Sequence, residues 1–359
     1  MFCLLNWQDC SSEKRARRLA ASMIGVILGL SIASLEAVAQ GSETDAAAFY
    51  RDRTMTMLAG SAVGGGYDAY ARLVARHLPA RMPGKPTFVV QNMPGGGGIH
   101  AANTLYNISA RDGSVIALLQ RGILTAPLLD PKQANFKYDP RRFNWLQSLN
   151  SEAGLVIVWN TAPHKSLDDL MKDELTIGSS GPATEIFPRL LRNLIGMKLR
   201  IISGYKGSAD AYLAMERGEV QGRISTGFDK AILAPWLEQG KVRLLLSISL
   251  NKHPYFPDLP LVSSLIKNES DQAIIELLLA EQLAGRPILT SPGVPAERVA
   301  FMRTALNQMA QDKGFLEEAR KLNLDIDIVT GAEIANMIDR VYAISPEIVD
   351  SARKIISAQ

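Results

Sequence analysis

Glycine clusters at two strand-to-helix junctions are the residues of this sequence best suited to bind a ligand. The segment TMTMLAGSAVGGGYDAYARLVARHL alternates like a β-strand at Thr54–Leu58, continues through Gly64, Gly65 and Gly66, and then has apolar residues at helical spacing. The later segment FVVQNMPGGGGIHAANTLY repeats this order. Glycines there leave backbone N–H groups exposed beside a helix N-terminus, whose partial positive charge favours anions. Two such junctions on one sheet predict an anion-binding cleft.

The first glycine cluster has structural interpretations as well. Gly64–Gly66 could form a tight turn that packs a strand against a helix, and Asp68 could cap that helix instead of contacting a ligand. Gly64, Gly66 and Ala69 also satisfy the looser dinucleotide fingerprint G-x-G-x-x-A. The next strand, however, ends at Gln91 instead of the acid that a ribose needs. We therefore expect no nucleotide cofactor.

Two arginines stand at the ends of predicted strands. Arg121 follows the strand residues ALLQ, and Arg223 lies at the end of a later strand. Open α/β sheets bind ligands at the carboxyl ends of their strands, and a guanidinium offers a carboxylate a planar, bidentate fork. The alternative for each is a surface ion pair, the usual role of arginine. Arg121 in particular is predicted to meet a second carboxylate that the glycine amides do not reach.

Metal, thiol and nucleic-acid chemistry have no support in the sequence. The four histidines lie far apart without the spacing of metal ligands, and both cysteines, Cys3 and Cys10, precede the mature chain predicted below. No G-x-S-x-G or phosphate-binding loop occurs. The net charge is only +3, with no basic stripe for nucleic acid. An exported hydrolase with an unrecognised site is the enzyme alternative.

The N-terminal residues predict export. A basic region at residues 14–18 precedes the apolar run Leu19–Leu35, and Ala37–Ala39 fits the small-residue cleavage pattern. The rival is a membrane anchor, but the apolar run is shorter than the roughly 20 residues that a span needs. We expect a signal peptide at residues 1–39, cleaved after Ala39, and a soluble periplasmic product. General export is the default, although Arg17 and Arg18 weakly match a twin-arginine signal.

Strand and helix patterns alternate along the remaining chain, which is typical of α/β sheets covered by helices on both faces. The predicted strands are Thr54–Ala59, Thr87–Gln91, Ser114–Gln120, Leu155–Trp159, Leu175–Gly178, Leu199–Ile202, Val220–Ile224 and Val242–Ser249. The predicted helices are Asp68–Arg81, Ile99–Asn107, Ser166–Lys172, Ile186–Ile195, Ala209–Arg217, Ala296–Lys313, Phe315–Leu322 and Ala332–Ile356, the last broken before Pro346. Ser166 and Asp169 predict a capping box.

The chain resembles the periplasmic solute receptors of tripartite tricarboxylate transporters, the Bug family. Six blocks match in order: GGGYDAYARLVARHL, VVQNMPGGGGIHAAN, ARDGSVIALL, IGSSGPATEIF, YKGSADAYLAMERGEV and LTSPGVPAERV. The resemblance implies a type II periplasmic binding protein with two α/β lobes and a carboxylate in the cleft between them. It places residues 50–152 plus 249–359 in lobe 1 and residues 153–248 in lobe 2. It further implies a monomer that serves a membrane permease and has no enzyme activity, metal or cofactor.

The strand-to-helix junctions of both lobes hold the candidate ligand-binding residues. In the first lobe these are Ser61, Gly64, Gly65, Gly66, Tyr67, Asp68, Gln120 and Arg121. In the second lobe they are Ser179, Ser180, Gly181, Thr184, Arg223 and Thr226.

The sequence departs from the family pattern near these residues. Tyr67 replaces a usual small hydroxyl residue, and Gln91 and Gln221 stand where acids are common. Fewer acids and two added arginines would suit a ligand with more than one carboxylate. The sequence does not separate transport from a periplasmic sensor that presents its ligand to a two-component kinase.

Overall fold

The computed structural model describes residues 47–131, 135–179, 182–205 and 207–358. The predicted signal peptide, residues 1–39, and the candidates Ser180 and Gly181 lie outside the described residues. The strands are β1 Thr54–Ala59, β2 Thr87–Asn92, β3 Val115–Leu118, β4 Asn144–Ser148, β5 Gly154–Trp159, β6 Leu175–Gly178, β7 Leu199–Ile202, β8 Gly222–Ser225, β9 Val242–Ile248, β10 Pro287–Thr290 and β11 Val329–Thr330. The helices are α1 Gly66–His77, α2 Ile99–Asn107, α3 Ala126–Leu129, α4 Leu167–Lys172, α5 Pro182–Leu190, α6 Ser208–Glu216, α7 Lys230–Glu238, α8 Glu269–Leu279, α9 Ala296–Ala310, α10 Lys313–Lys321, α11 Gly331–Tyr342 and α12 Pro346–Ser357.

The strands form two separate sheets. The first has six strands in the order β11-β4-β10-β3-β1-β2, and the second has five in the order β7-β6-β8-β5-β9. In the first sheet β1 runs parallel to β2 and β3, whereas β10 runs antiparallel to β3 and β4. In the second sheet β6 is parallel to β7 and β8, and β5 is antiparallel to β8 and β9. Mixed sheets with helices around them confirm the predicted α/β class and the two-lobe fold.

All eight predicted strands and all eight predicted helices are present, with ends shifted by a few residues. Ser166 and the first turn of α4 make the predicted capping box, since the Ser166 hydroxyl accepts from the Asp169 N–H and the Asp169 carboxylate accepts from the Ser166 N–H. The last predicted helix is indeed divided before Pro346, into α11 and α12. Local rules therefore determine most of these elements.

The sequence patterns did not predict six of the helices and strands. They are β4, β10, β11, α3, α7 and α8. The strands β4 and β10 are short and buried almost throughout, so they lack the alternation that indicates a half-buried strand. Helix α7 contains Pro235, a residue type that is unfavourable inside a helix. Strands β4 and β10 form because their neighbours bury them.

The chain passes between the sheets at residues 149–153, after β4, and leaves the second sheet after β9. Gln282 joins the two crossing points: its backbone carbonyl accepts from the Glu152 N–H and its side-chain amide donates to the Ile248 carbonyl, both at 2.8 Å. The C-terminal helix α12 also reaches the second sheet's side, where Asn193, just after α5, donates to the Ile355 carbonyl at 2.7 Å. Hydrogen bonds from the backbone and the side chain of Gln282 thus hold the two crossing segments together.

Candidate functional site

A cavity of about 320 Å³ lies in the cleft between the two sheets. Its walls come from both sides: Gly66 and Tyr70 of α1 and Arg286 next to β10 on one side, and residues of β8 and the β8–α7 loop on the other. The remaining lining residues come chiefly from the first crossing segment and from two loops at the rim; in this group are Asn150, Ser151, Glu152, Ala153, His253, Pro254, Tyr255, Asn323, Leu324 and Asp325. A volume of this size suits a small organic molecule.

Strand β8 supplies a polar wall to this cavity. Arg223 and Ser225 alternate with Ile224 and therefore project from the same face of the strand. Arg223 is only 3% exposed, and its Nη2 donates to the Ser208 Oγ at 2.8 Å. Its Nε and Nη1, and the Ser225 Oγ, have no hydrogen-bond partner among the described residues. Three buried polar groups are thus left for a ligand, because such groups are normally satisfied.

An aromatic ring lies beside Arg223. Its guanidinium lies 5.0 Å from the Tyr212 ring centroid, and no ion pair to Arg223 occurs within the described ranges. Burial lowers the pKa of Arg223, whereas Tyr212 and Asp229 raise it. Burial also raises the pKa of Tyr212 to about 12, so its hydroxyl remains protonated at neutral pH. The wall of β8 therefore carries a protonated guanidinium without a carboxylate partner.

On the opposite side, Arg121 belongs to a charge network instead of the cavity lining. It makes ion pairs with Glu152 and with Glu281, the latter at 3.1 Å, and its side chain is 12% exposed. Arg286 continues the network, since its Nη1 donates to Glu152 Oε1 at 2.7 Å. The Arg121 guanidinium is not among the described groups that line the cavity. Glu152 and Glu281, which the sequence analysis did not single out, bind the Arg121 side chain.

Arg286 does reach the cavity. Its guanidinium stacks over the Tyr67 ring at 4.4 Å and the Tyr70 ring at 5.2 Å. One nitrogen, Nε, has no hydrogen-bond partner among the described residues. Its charge, unlike that of Arg223, is balanced by Glu152.

A cluster at the rim links the two sides of the cleft. Lys230, at the start of α7, makes an ion pair with Asp325, and its Nζ lies 4.2 Å from the Tyr255 ring centroid. The Tyr255 hydroxyl donates to Asp325 Oδ1 at 2.9 Å, and the Tyr70 hydroxyl donates to the Asp325 carbonyl at 2.8 Å. Asp325 follows α10 on the first side and Lys230 lies on the second. The cluster therefore ties the two walls together across the mouth of the cavity.

His253 is a buried, uncharged member of the cavity wall. Burial lowers its pKa to about 4. Its Nδ1 accepts from the Tyr255 N–H at 3.1 Å, and its ring packs against Phe228 and Phe256. It is neutral at physiological pH and adds no charge to the cleft.

The first glycine cluster binds its own helix more than it faces the cavity. The Gly64 N–H donates to Asp68 Oδ2 at 2.9 Å and the Gly65 N–H donates to the Ala62 carbonyl at 3.3 Å, which leaves Gly66 as the member that lines the cavity. Asp68 is buried and also accepts from Arg72. Burial would raise the pKa of Asp68, but hydrogen bonds from Arg72, Gly64 and other donors hold it below its usual value. The contacts of Asp68 are therefore with the loop before α1 and with Arg72 of α1, which agrees with a structural role for this residue.

Other candidates beside this cluster also make internal contacts. The Tyr67 hydroxyl donates to the Gly285 carbonyl at 3.1 Å, the Ser61 carbonyl accepts from the Asn92 side chain, and the Gln120 amide donates to the Gly60 carbonyl at 2.6 Å. The Oγ of Ser61 and the Oε1 of Gln120 are buried without a hydrogen-bond partner in the described part of the chain. None of these three residues is among the described lining of the cavity.

The second glycine cluster lies away from this cavity. Gly95 and Gly96 border a separate cavity of about 340 Å³, together with His100 and Lys137. Gly98 has a φ of +92°, and a Cβ there would lie 2.2 Å from Gln120 Oε1, so only glycine fits. The two glycine clusters therefore do not face one cleft, contrary to the prediction from the sequence.

In the second lobe, Thr226 lines the cavity with Arg223. Ser179 and Thr184 lie apart from the described lining, with their hydroxyl oxygens 2.7 Å from each other. Of the predicted residues, the fold therefore brings Gly66, Arg223 and Thr226 together around one cavity.

The sequence analysis did not name several residues that line the cavity. They include Glu152, Asp229, Lys230, His253, Tyr255, Arg286 and Asp325. The predicted boundaries between lobes at residues 152 and 249 were signals for the nearby residues Glu152, His253 and Tyr255. Arg286 and Asp325 had no comparable signal, because they come from loops whose position depends on tertiary packing.

Within 47–131, 135–179, 182–205 and 207–358, no group of three or more His, Cys, Asp or Glu side chains is arranged to hold a metal ion. In the same residues no helix has the length and apolarity to cross a membrane.

Known proteins share this fold and sequence pattern. The model of the tripartite tricarboxylate transporter receptor family matches residues 71–309. A UPF0065 protein of Cupriavidus necator is 24% identical over 255 residues, which cover 68% of this chain and 72% of that protein. A ligand-free TctC solute-binding protein from Polaromonas aligns with a TM-score of 0.66 and 18% identity over 86% of this chain and all of its own. The R. palustris protein Rpa4515, solved with adipate, aligns with a TM-score of 0.57 and 21% identity over 84% of this chain and 97% of its own.

Proposed function

Because this chain belongs to the tripartite tricarboxylate transporter receptor family, we propose that it captures a small organic carboxylate and delivers it to the membrane permease of such a transporter. The adipate in the R. palustris neighbour supports a carboxylate as the ligand class. The family is one of receptors, which supports binding in place of catalysis.

The observation that carries this proposal is the state of Arg223. A buried guanidinium without a carboxylate partner is unfavourable unless something else satisfies it. Two of its nitrogens and the Ser225 hydroxyl on the same strand face lack hydrogen-bond partners among the described residues. A carboxylate is the group that matches a guanidinium in geometry and charge. We infer that Arg223 and Ser225 receive the ligand carboxylate, with Gly66 and Thr226 beside them in the cavity wall.

Capture would proceed by closure of two lobes over the ligand. We propose residues 50–152 plus 249–359 as lobe 1 and residues 153–248 as lobe 2, with Gln282 holding both crossing segments at the hinge. Arg223 then belongs to one lobe and Gly66 to the other, so a ligand that contacts both favours the closed form. A closed form of this kind is what a permease could distinguish from the empty receptor.

The same proposal includes the location of the protein. We propose that it works in the periplasm after cleavage of residues 1–39, which fits a receptor that meets its ligand outside the cytoplasm. The intact mass of exported protein, with a mature N-terminus at Gln40, tests this step directly.

Ligand binding is tested by thermal unfolding of the purified protein with a panel of mono-, di- and tricarboxylates. A ligand at about 100 times its dissociation constant adds about 2.7 kcal/mol to the free energy of unfolding, which raises the melting temperature by several degrees. Arg223→Ala should weaken the best ligand by about ten- to a hundredfold, as expected for one charge-assisted contact.

The matched control is Arg217→Ala, an exposed arginine of the same lobe that does not line the cavity. It should leave affinity unchanged. A panel without a single stabilising carboxylate, or equal affinities for Arg223→Ala and wild type, would contradict the proposed function of this cavity.

A further inference from the structure

The charged side chains of the described cavity wall are balanced in number. Among the described residues, six charged side chains line the cavity: Glu152, Arg223, Asp229, Lys230, Arg286 and Asp325. Three are acids and three are bases. The described lining therefore has no net excess of positive charge that would attract a ligand with several carboxylates.

Four of these six groups already have partners. Arg286 is paired with Glu152 at 2.7 Å, and Lys230 is paired with Asp325. Each pair neutralises itself within the cavity wall. Within the described lining, the charge available to a ligand therefore comes from the remaining two groups, Arg223 and Asp229.

Asp229 resembles Arg223 in having no partner of opposite charge within the described residues. It occupies the N-cap position of α7, where an aspartate usually accepts from the first-turn amides, yet its side chain makes no capping hydrogen bond. It lies four residues after Ser225, on the loop that continues from β8 along the cavity wall. The electrostatic influence of Asp229 on Arg223, which raises the pKa of the latter, indicates that the two share one environment.

A ligand with two carboxylates fits this pair poorly. One carboxylate can bind Arg223, but the other bases of the described lining are already neutralised, and Asp229 would repel a second carboxylate. A ligand with a carboxylate at one end and a cationic nitrogen at the other satisfies both unpaired groups and keeps the cavity neutral.

We propose that the ligand of this receptor is a zwitterionic aminocarboxylate, with its carboxylate on Arg223 and its ammonium beside Asp229. This inference rests on the proposed function, because it assumes that the cavity binds a carboxylate. It assigns to Asp229 the role of selecting against dicarboxylates, a role that neither its position in the sequence nor the family match provides.

The test uses three ligands that share a four-carbon chain. In 4-aminobutyrate, butyrate and succinate the end opposite the carboxylate is an ammonium, a methyl group or a second carboxylate. Because the ligand length is open, the same comparison is made with two-, three-, five- and six-carbon sets and measured by calorimetric titration of the wild-type protein. The aminocarboxylate of the best-fitting length should bind at least about tenfold more tightly than its two matched partners.

The variant Asp229→Asn gives the sharpest test, because it should change the affinities for the aminocarboxylate and for the dicarboxylate in opposite directions. It should weaken the aminocarboxylate about tenfold and strengthen the matched dicarboxylate, since the same charge attracts one and repels the other. The control is Asp168→Asn, an exposed aspartate of α4 outside the cavity, which should change neither affinity. Circular dichroism and melting of both variants verify that the fold is intact, and Asp229→Glu should retain the preference of the wild type.

The outcomes separate the two proposals. If a dicarboxylate or a plain monocarboxylate binds best in an Arg223-dependent way, or if Asp229→Asn leaves the preference unchanged, the zwitterion inference is overturned and the proposed function stands. If no member of any set binds and no other carboxylate does, both are overturned.

Discussion

The two walls of the cleft use their arginines in different ways. On the side of the six-stranded sheet, Arg121 and Arg286 share the carboxylates of Glu152 and Glu281. On the side of the five-stranded sheet, Arg223 is more deeply buried than either but has no ion pair in the described part of the chain. The comparison shows that an arginine at a strand end is available to a ligand only if the fold has not already supplied a carboxylate to it.

The largest expected effect is on the paired side. Arg121→Ala should lower the free energy of unfolding by about 3 kcal/mol, because it leaves two partly buried carboxylates short of a cation. Urea unfolding with an unchanged slope would measure this loss. The control is Arg53→Ala, since the Arg53–Asp112 pair is exposed and should contribute less than about 1 kcal/mol. Equal effects of the two substitutions would show that the buried network is not a structural element.

The next effect concerns His253, which is buried but uncharged. Its folded pKa of about 4 is below the value of 6.5 expected when unfolded, so the unfolded chain binds the proton first. The contribution of the neutral His253 to the free energy of unfolding is therefore fully present above pH 6.5. It is lost as the pH falls towards 4, by an amount on the order of 2 kcal/mol.

This pH dependence is measured by urea unfolding of wild type and His253→Asn at pH 7 and at pH 4.5. Carboxylates such as Asp68, whose pKa is lowered, also lose stability in acid, but they do so in both proteins. The difference between the two proteins should therefore isolate the histidine. Parallel losses in wild type and variant would exclude it as a titrating group.

A smaller effect of opposite sign is expected on the unpaired side. Arg223→Met keeps the bulk of the side chain and removes a buried charge. The free energy of unfolding should therefore rise by about 1 kcal/mol, while carboxylate binding weakens by about ten- to a hundredfold, as for Arg223→Ala. Chemical unfolding and titration of the same preparation test both parts. A loss of stability comparable to that of Arg121→Ala would make Arg223 a structural residue and end the contrast between the walls.

The smallest effect concerns the bridge between the walls. Lys230 and Asp325 are partly exposed, so a double-mutant cycle with alanine should give a coupling of about 0.5 kcal/mol that decreases at high salt. The cycle is followed by urea unfolding at two salt concentrations. A coupling that is absent at low salt would mean that this pair does not hold the walls together.

Prediction from the sequence succeeded where the signal is local. The alternation at Thr54–Ala59, the capping residues Ser166 and Asp169, and the break at Pro346 each predicted an element that the structure contains. The short strands β4 and β10 escaped detection because neighbouring strands and helices bury both of their faces. The same limit applies to the site, where Gly66, Arg223 and Thr226 line the cavity but Gly64 donates to Asp68 instead.

By itself the sequence determined the α/β class, the order of most elements and the family of receptors to which the chain belongs. These depend on residues close together in the chain, whose backbone preferences and spacing act locally. Only the tertiary structure decided which charges face the ligand. Arg121 is neutralised by Glu281, 160 residues away, whereas Arg223 forms no ion pair in the described part of the chain. The availability of a buried charge depends on partners that folding brings from distant segments, and a single sequence does not encode their distances in any local pattern.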